Sequence, residues 1–234
     1  MAISGRYAYV VSESGLLVVD IADPRNPHAV GSYHTTQSSA ATYARDIAVE
    51  GSYAYVLFDV ALMNAGRLEV IDIADSSMPT LAGRYDLELR FLGRLALAGN
   101  YVYVTDGVWT GGTGLYVIDI SDRRNPKRVG GNSAFDAYGV AVWGDNVYTV
   151  ANSEITILNK FRPPLQLTMS PFSFGTPLTI SLSGPAGSTA RLQRSANLQD
   201  WEDWVVLPLG EQPTAIGDPE AGEMPMRFYR AVEE

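Results

Sequence analysis

One block of sequence recurs four times across the first two-thirds of the chain, and repetition at this period leaves few architectures open. Each copy opens on a glycine followed by a short run with tyrosine at a set place: Gly5-Arg6-Tyr7-Ala8-Tyr9-Val10, Gly51-Ser52-Tyr53-Ala54-Tyr55-Val56, Gly99-Asn100-Tyr101-Val102-Tyr103-Val104 and Gly144-Asp145-Asn146-Val147-Tyr148-Thr149. The anchor glycines stand 46, 48 and 45 residues apart. A period of about 40 to 50 residues made of strands alone is the mark of a β-propeller blade.

The copies share an internal order. A turn follows the tyrosine strand, then a second apolar strand that carries aspartate at its end: Leu16-Leu17-Val18-Val19-Asp20-Ile21, Leu68-Glu69-Val70-Ile71-Asp72-Ile73 and Leu115-Tyr116-Val117-Ile118-Asp119-Ile120. The next turn reads Asp23-Pro24-Arg25-Asn26-Pro27 in the first copy and Asp122-Arg123-Arg124-Asn125-Pro126 in the third. Proline presets φ in such turns and asparagine bonds its own backbone. The outer strand ends in Gly31-Ser32-Tyr33, Gly83-Arg84-Tyr85 or Gly130-Gly131-Asn132. Tyrosine and branched residues suit a pleated sheet, and continuous apolar runs suit strands buried on both faces. No segment sustains a helical apolar period. The expected fold is therefore all-β, with about four propeller-type blades over residues 1–162.

The strands Leu68-Glu69-Val70-Ile71-Asp72 and Leu115-Tyr116-Val117-Ile118-Asp119, with the Asp-Pro-x-Asn-Pro turn, resemble the LVIVD-repeat family over roughly residues 1 to 160. The resemblance implies a propeller of the kind carried by secreted or cell-surface bacterial proteins, and it brings no shared catalytic residues with it. The chain departs from the pattern at both ends of the array. Only Met1-Ala2-Ile3-Ser4 is there to serve as the first copy's innermost strand, and the fourth copy stops after Glu154-Ile155-Thr156-Ile157-Leu158. A propeller protects its strand edges by closing into a ring. A closed four-blade ring, an open arc covered by the C-terminal segment, two chains completing one larger ring and a fragment of a longer gene product all fit these ragged ends.

Beyond Phe161-Arg162-Pro163-Pro164 the repeat disappears. Residues 163–234 alternate strand-like runs with Gly/Pro turns, which predicts a small Ig- or fibronectin-like β-sandwich. The stretch Gln193-Arg194-Ser195-Ala196-Asn197-Leu198-Gln199-Asp200-Trp201, with Arg227-Phe228-Tyr229-Arg230-Ala231, resembles the C-terminal module of many secreted planctomycete and verrucomicrobial proteins. That resemblance implies a spacer or attachment role.

Composition narrows the function classes. The net charge is -9 with no basic cluster. A nucleic-acid partner is therefore not expected, because phosphate neutralisation needs grouped lysine and arginine. The absence of cysteine removes disulfides, thiol nucleophiles and Cys-ligated zinc. No apolar run is long enough to span a bilayer, so no membrane insertion is expected, and no signal peptide is seen; for a secreted or cell-surface parent the leader would have been removed or would lie upstream. Gly-x-Ser-x-Gly, Walker, His-Glu-x-x-His and dinucleotide-binding motifs are absent.

Candidate site residues come from the propeller geometry. The hairpin between the second and third strands of a blade and the link to the next blade open on one end, and these are the variable loops, where binding sits on a rigid scaffold. Phe91, Trp109 and Tyr138 are candidate ligand contacts there. Glu13, Asp59, Asp106 and Asp136 are candidate ligands for Ca2+ or another divalent cation, since strand-end carboxylates at a channel mouth would offer hard oxygen donors. His34, Asp46 and Asp59 are candidate catalytic residues if such a metal activates water for ester or phosphoester hydrolysis. The regular Asp20, Asp72 and Asp119 read as structural. Two functions are open: a non-catalytic propeller presenting a face to a small-molecule, carbohydrate or protein ligand, as monomer or homodimer, or a metal-assisted hydrolase of broad specificity at the acidic end. Carbohydrate binding through Trp109 with Trp201 or Trp204 is a third idea.

Overall fold

The computed structural model describes residues 1–12, 15–35, 42–60, 65–88, 92–106, 114–134, 136–151, 154–170, 178–210, 212–221 and 226–233. The chain is all-β: the described residues form 21 strands in small antiparallel sheets and no helix. It divides into two compact units, Met1–Lys160 and Phe161–Glu234.

The first unit is a row of propeller-type blades. Blade 1 holds β1 (Ala2–Ser4), β2 (Tyr7–Ser12), β3 (Gly15–Asp20) and β4 (His28–His34). Blade 2 holds β5 (Thr42–Glu50), β6 (Tyr53–Val60), β7 (Ala65–Asp72) and β8 (Thr80–Leu87), and blade 3 holds β9 (Leu92–Ala98), β10 (Tyr101–Asp106), β11 (Leu115–Asp119) and β12 (Lys127–Asn132). Each is a four-stranded antiparallel meander in chain order. Blade 4 has three strands, β13 (Gly139–Trp143), β14 (Asn146–Val150) and β15 (Ile155–Asn159).

Local chemistry sets the corners. The anchor glycines take φ of +56° to +58°. Glycine adopts this left-handed conformation without steric penalty, and so turns the innermost strand onto the tyrosine strand. At the other corner of the same end, Asp20, Asp72 and Asp119 each accept the N–H two residues on, from Ala22, Ala74 and Ser121, at 2.8–2.9 Å. Asp23, Asp75 and Asp122 repeat the device with Arg25, Ser77 and Arg124. Two successive Asx turns thus reverse the chain in each of blades 1 to 3. A one-residue bulge recurs in the outer strand, where the register slips between Val18 and Val19, between Val70 and Ile71, and between Val117 and Ile118.

The bulge is followed by a glycine with a packing task. A Cβ on Gly31 would lie 2.2 Å from the carbonyl oxygen of Ser76 in blade 2, and one on Gly83 would lie 2.3 Å from that of Arg123 in blade 3. The Asp turns of blades 2 and 3 thus seat in a notch of the blade before each.

Strand alternation builds the core between blades. Tyr9, Leu16, Val18 and Tyr33 of blade 1 meet Ala54, Val56, Phe58 and Ile71 of blade 2. Tyr55, Leu57, Leu68 and Val70 on the opposite face of blade 2 meet Val102, Val104, Tyr116 and Ile118 of blade 3. Both faces of blade 2 are buried, which is why β6 reads as an almost unbroken apolar run. Each fully buried side chain of this size contributes about 1.5–3 kcal/mol. The innermost strands pack in series, β1 on β5, β5 on β9 and β9 on β13; among the described residues no comparable packing joins β13 back to β1.

The second unit contains β16 (Gln166–Met169), β17 (Leu178–Ser183), β18 (Thr189–Ser195), β19 (Glu202–Pro208), β20 (Thr214–Asp218) and β21 (Phe228–Glu233). They form two three-stranded sheets, β16-β17-β20 and β19-β18-β21. Leu182, Ala190 and Leu209 share a small core with Leu165, Leu167, Leu207 and Ala231.

Candidate functional site

Two of the candidate carboxylates, Asp46 and Asp59, make bonds that run across a blade boundary. Asp59 lies buried near the end of β6. Its carboxylate accepts from Arg45 Nε of β5 and, at 3.0 Å, from the N–H of Leu92, the first residue of β9 in the next blade. Arg45 reaches it because the β5–β6 register slips between Ala44 and Asp46. Asp46 accepts the N–H of Ile47 at 3.0 Å on one oxygen and the N–H of Leu95 at 3.0 Å on the other, and the guanidinium of Arg94 stands 4.0 Å away. The β9–β10 ladder is itself irregular between Val104 and Asp106. The start of β9 therefore draws these bonds from side chains instead. Arg94 N–H obeys the same rule and donates to Thr105 Oγ1 at 2.9 Å. Asp46 and Asp59 clasp one strand, β9, at Leu95 and Leu92.

A second polar cluster lies between blades 1 and 2, and sequence reasoning missed it. Glu69 and Arg67 are buried on the face of β7 that meets blade 1. Glu69 accepts from Tyr33 Oη at 3.1 Å and from Thr35 Oγ1 at 2.7 Å, and lies 3.7 Å from Arg67 Nη1. Arg67 Nε donates to Asp86 at 2.8 Å. Burial, then the adjacent Glu69 carboxylate, pushes the Tyr33 phenol well up. It keeps its proton and serves as donor. The signal was a glutamate in the middle of Leu68-Glu69-Val70-Ile71, where the equivalent positions carry Leu17 and Tyr116. Each member of the cluster has a partner, which suits a polar clasp between two blades.

The remaining candidates are dispersed. His34 is exposed at the end of β4 and does not share the partners of Asp46 or Asp59. Asp106 is buried at the end of β10, and its N–H donates to the carbonyl of Gly114 at 3.1 Å. Asp136 is half-buried before β13. Tyr138 is also half-buried; its N–H donates to Val150 O at 2.8 Å, and its carbonyl oxygen would lie 2.8 Å from a Cβ on Gly93, so glycine there lets blades 3 and 4 approach. Glu13, Phe91 and Trp109 lie outside the described residues. Among the described residues no three His, Asp or Glu side chains gather at metal-binding spacing. In the second unit, Trp201 lies under Arg230 and Trp204 under Arg194, with guanidinium-to-ring distances of 4.3 and 5.7 Å.

Antiparallel meanders repeated about an inner row of strands, clasped by turn and carboxylate bonds, define a propeller-type repeat protein. The family profile described as the LVIVD repeat matches residues 1–35, 41–87 and 93–131, a little over half of the chain. The chain belongs to the LVIVD-repeat family. The matched segments correspond to blades 1 to 3; blade 4 lies beyond them and keeps the same strand register without its outer strand. No curated protein matches the chain.

Proposed function

We propose that this chain is a non-catalytic propeller scaffold that presents its variable-loop end to a ligand, with the second unit, read as a sandwich-like module, acting as spacer or attachment element. One observation carries the reading: the carboxylates best placed for chemistry, Asp46 and Asp59, hold the N–H groups of the next blade's inner strand. Both carboxylates thus belong to the joint between blades 2 and 3: Asp59 bridges Arg45 and the Leu92 N–H, and Asp46 bridges the Ile47 and Leu95 N–H groups, as buried polar groups in a packed joint require. The ligand classes in keeping with this surface are a small molecule, a carbohydrate or a protein, and the family resemblance favours a secreted or cell-surface parent.

The test is turnover of a panel of chromogenic carboxyl, phosphate and sulfate esters by the whole chain, with and without EDTA and with Ca2+ added. The scaffold predicts no turnover above a denatured control and no rise of the thermal midpoint with Ca2+. EDTA-sensitive turnover that Asp59→Asn removes while circular dichroism stays unchanged would replace the scaffold by a metal-assisted hydrolase.

A further inference from the structure

The internal blade contacts repeat one pattern, and the two ends of the array carry its unfilled halves. Strand register makes the equivalence explicit. Tyr9 faces Val18, Tyr55 faces Val70 and Tyr103 faces Val117 at the same place in blades 1 to 3, and Tyr148 faces Ile157 there in blade 4. The three valines are buried, whereas Ile157 is 60% exposed. Two positions away, Leu16, Leu68 and Leu115 are buried, whereas Ile155 is 70% exposed. Trp143, opposite Asn146 on the same face, is 78% exposed.

The other end mirrors this. Leu17 of blade 1 stands where Glu69 of blade 2 and Tyr116 of blade 3 are buried against the preceding blade, and Leu17 and Ile3 are exposed. Contiguous apolar side chains on an open sheet face mark an interaction surface.

We infer that two copies of this chain close one ring, the free face of blade 4 in each copy packing on the free face of blade 1 in the other. The occupant is a second copy because this contact continues an interface already made within the chain. The free face of blade 4 is the one that each internal blade turns to its successor, and the free face of blade 1 is the one turned to a predecessor. Two arcs of four blades give eight, within the four to eight typical of propellers. A two-fold axis makes both contacts at once and leaves no free face, so assembly stops at two copies.

Sedimentation equilibrium on the whole chain tests this. The expected particle has twice the 25.4 kDa chain mass and does not grow further with concentration. Ile157→Lys and Leu17→Lys each reduce it to a single chain with unchanged far-UV circular dichroism, since both side chains are exposed in the single chain. Hydroxyl-radical oxidation of Trp143 needs no substitution: it falls as the wild-type chain is concentrated through the dimerisation range. A wild-type chain that stays single at its highest soluble concentration overturns the inference and hands the faces to another partner. A dimer that Ile157→Lys breaks and Leu17→Lys leaves whole also overturns it, because blade 4 would then be meeting blade 4. Trp143 oxidation independent of concentration has the same meaning.

Discussion

At the residue scale the fold rests on side-chain oxygens that each satisfy a specific donor. Thr149 is an exception. It is buried opposite Thr156 in blade 4, at the position that Val56 and Val104 fill in blades 2 and 3, and among the described residues its hydroxyl has no hydrogen-bond partner. Thr149→Val keeps the shape and removes the buried hydroxyl, so it is expected to raise stability by about 1 kcal/mol, read as a higher urea midpoint at constant m. Asp218 is the opposite case. Burial pushes its carboxyl up, but bonds from Tyr229 Oη at 2.6 Å, Arg227 Nη1 at 2.9 Å and the Glu220 N–H outweigh that and hold it below the usual carboxylate range. A depressed folded value means that its stabilisation is complete above the unfolded value of about 4 and is lost as pH falls through the folded one. The thermal midpoint of Asp218→Asn is therefore expected to lie below wild type at neutral pH, with the gap closing in acid.

At the element scale the two kinds of glycine do different work. Gly51 has φ of +57°, and a Cβ placed there would have nothing within 4 Å. Gly51→Ala therefore meets only the left-handed backbone penalty of about 1 kcal/mol. Gly83 sits in the notch that receives the next blade's Asp turn, where a Cβ would strike backbone rather than a movable side chain. Gly83→Ala is expected to destabilise more than Gly51→Ala, by about 2–3 kcal/mol, because the blades must separate to admit it. Denaturant unfolding of both variants checks the order; equal losses would show that the notch is slack.

At the scale of the whole molecule, each blade packs chiefly on the next. Stability of the array is then a chain of nearest-neighbour contacts. The carboxylate clasps are the polar part of that coupling. Asp59→Ala leaves the buried Leu92 N–H without its acceptor and Arg45 without its partner. The substitution is expected to lower unfolding free energy by about 2–3 kcal/mol. Hydrogen exchange should locate the loss at the start of β9, in the blade after the one that carries the substituted residue. Loss confined to β6 would mean that the clasp contributes little.

The features legible in the linear chain and those hidden from it divide along the range of the interactions. The glycine-anchored hairpins, the Asx turns at Asp20, Asp72 and Asp119 and the alternation of the tyrosine strands are set by φ preferences and by bonds spanning two residues, so the linear chain carries them openly. The all-β class and the repeat count up to the incomplete fourth blade rest on these alone. Asp46 and Asp59 looked like a channel-mouth pair because sequence shows where a strand ends but not which donor waits in the neighbouring blade. Glu69 looked like one more strand residue until Tyr33 and Thr35, more than thirty positions earlier, were brought against it. Ile155 and Ile157 alternate along β15 as Leu68 and Val70 do along β7. Only the tertiary structure decides that no blade of this chain covers them, because burial belongs to the face opposite and not to the strand that carries the side chain.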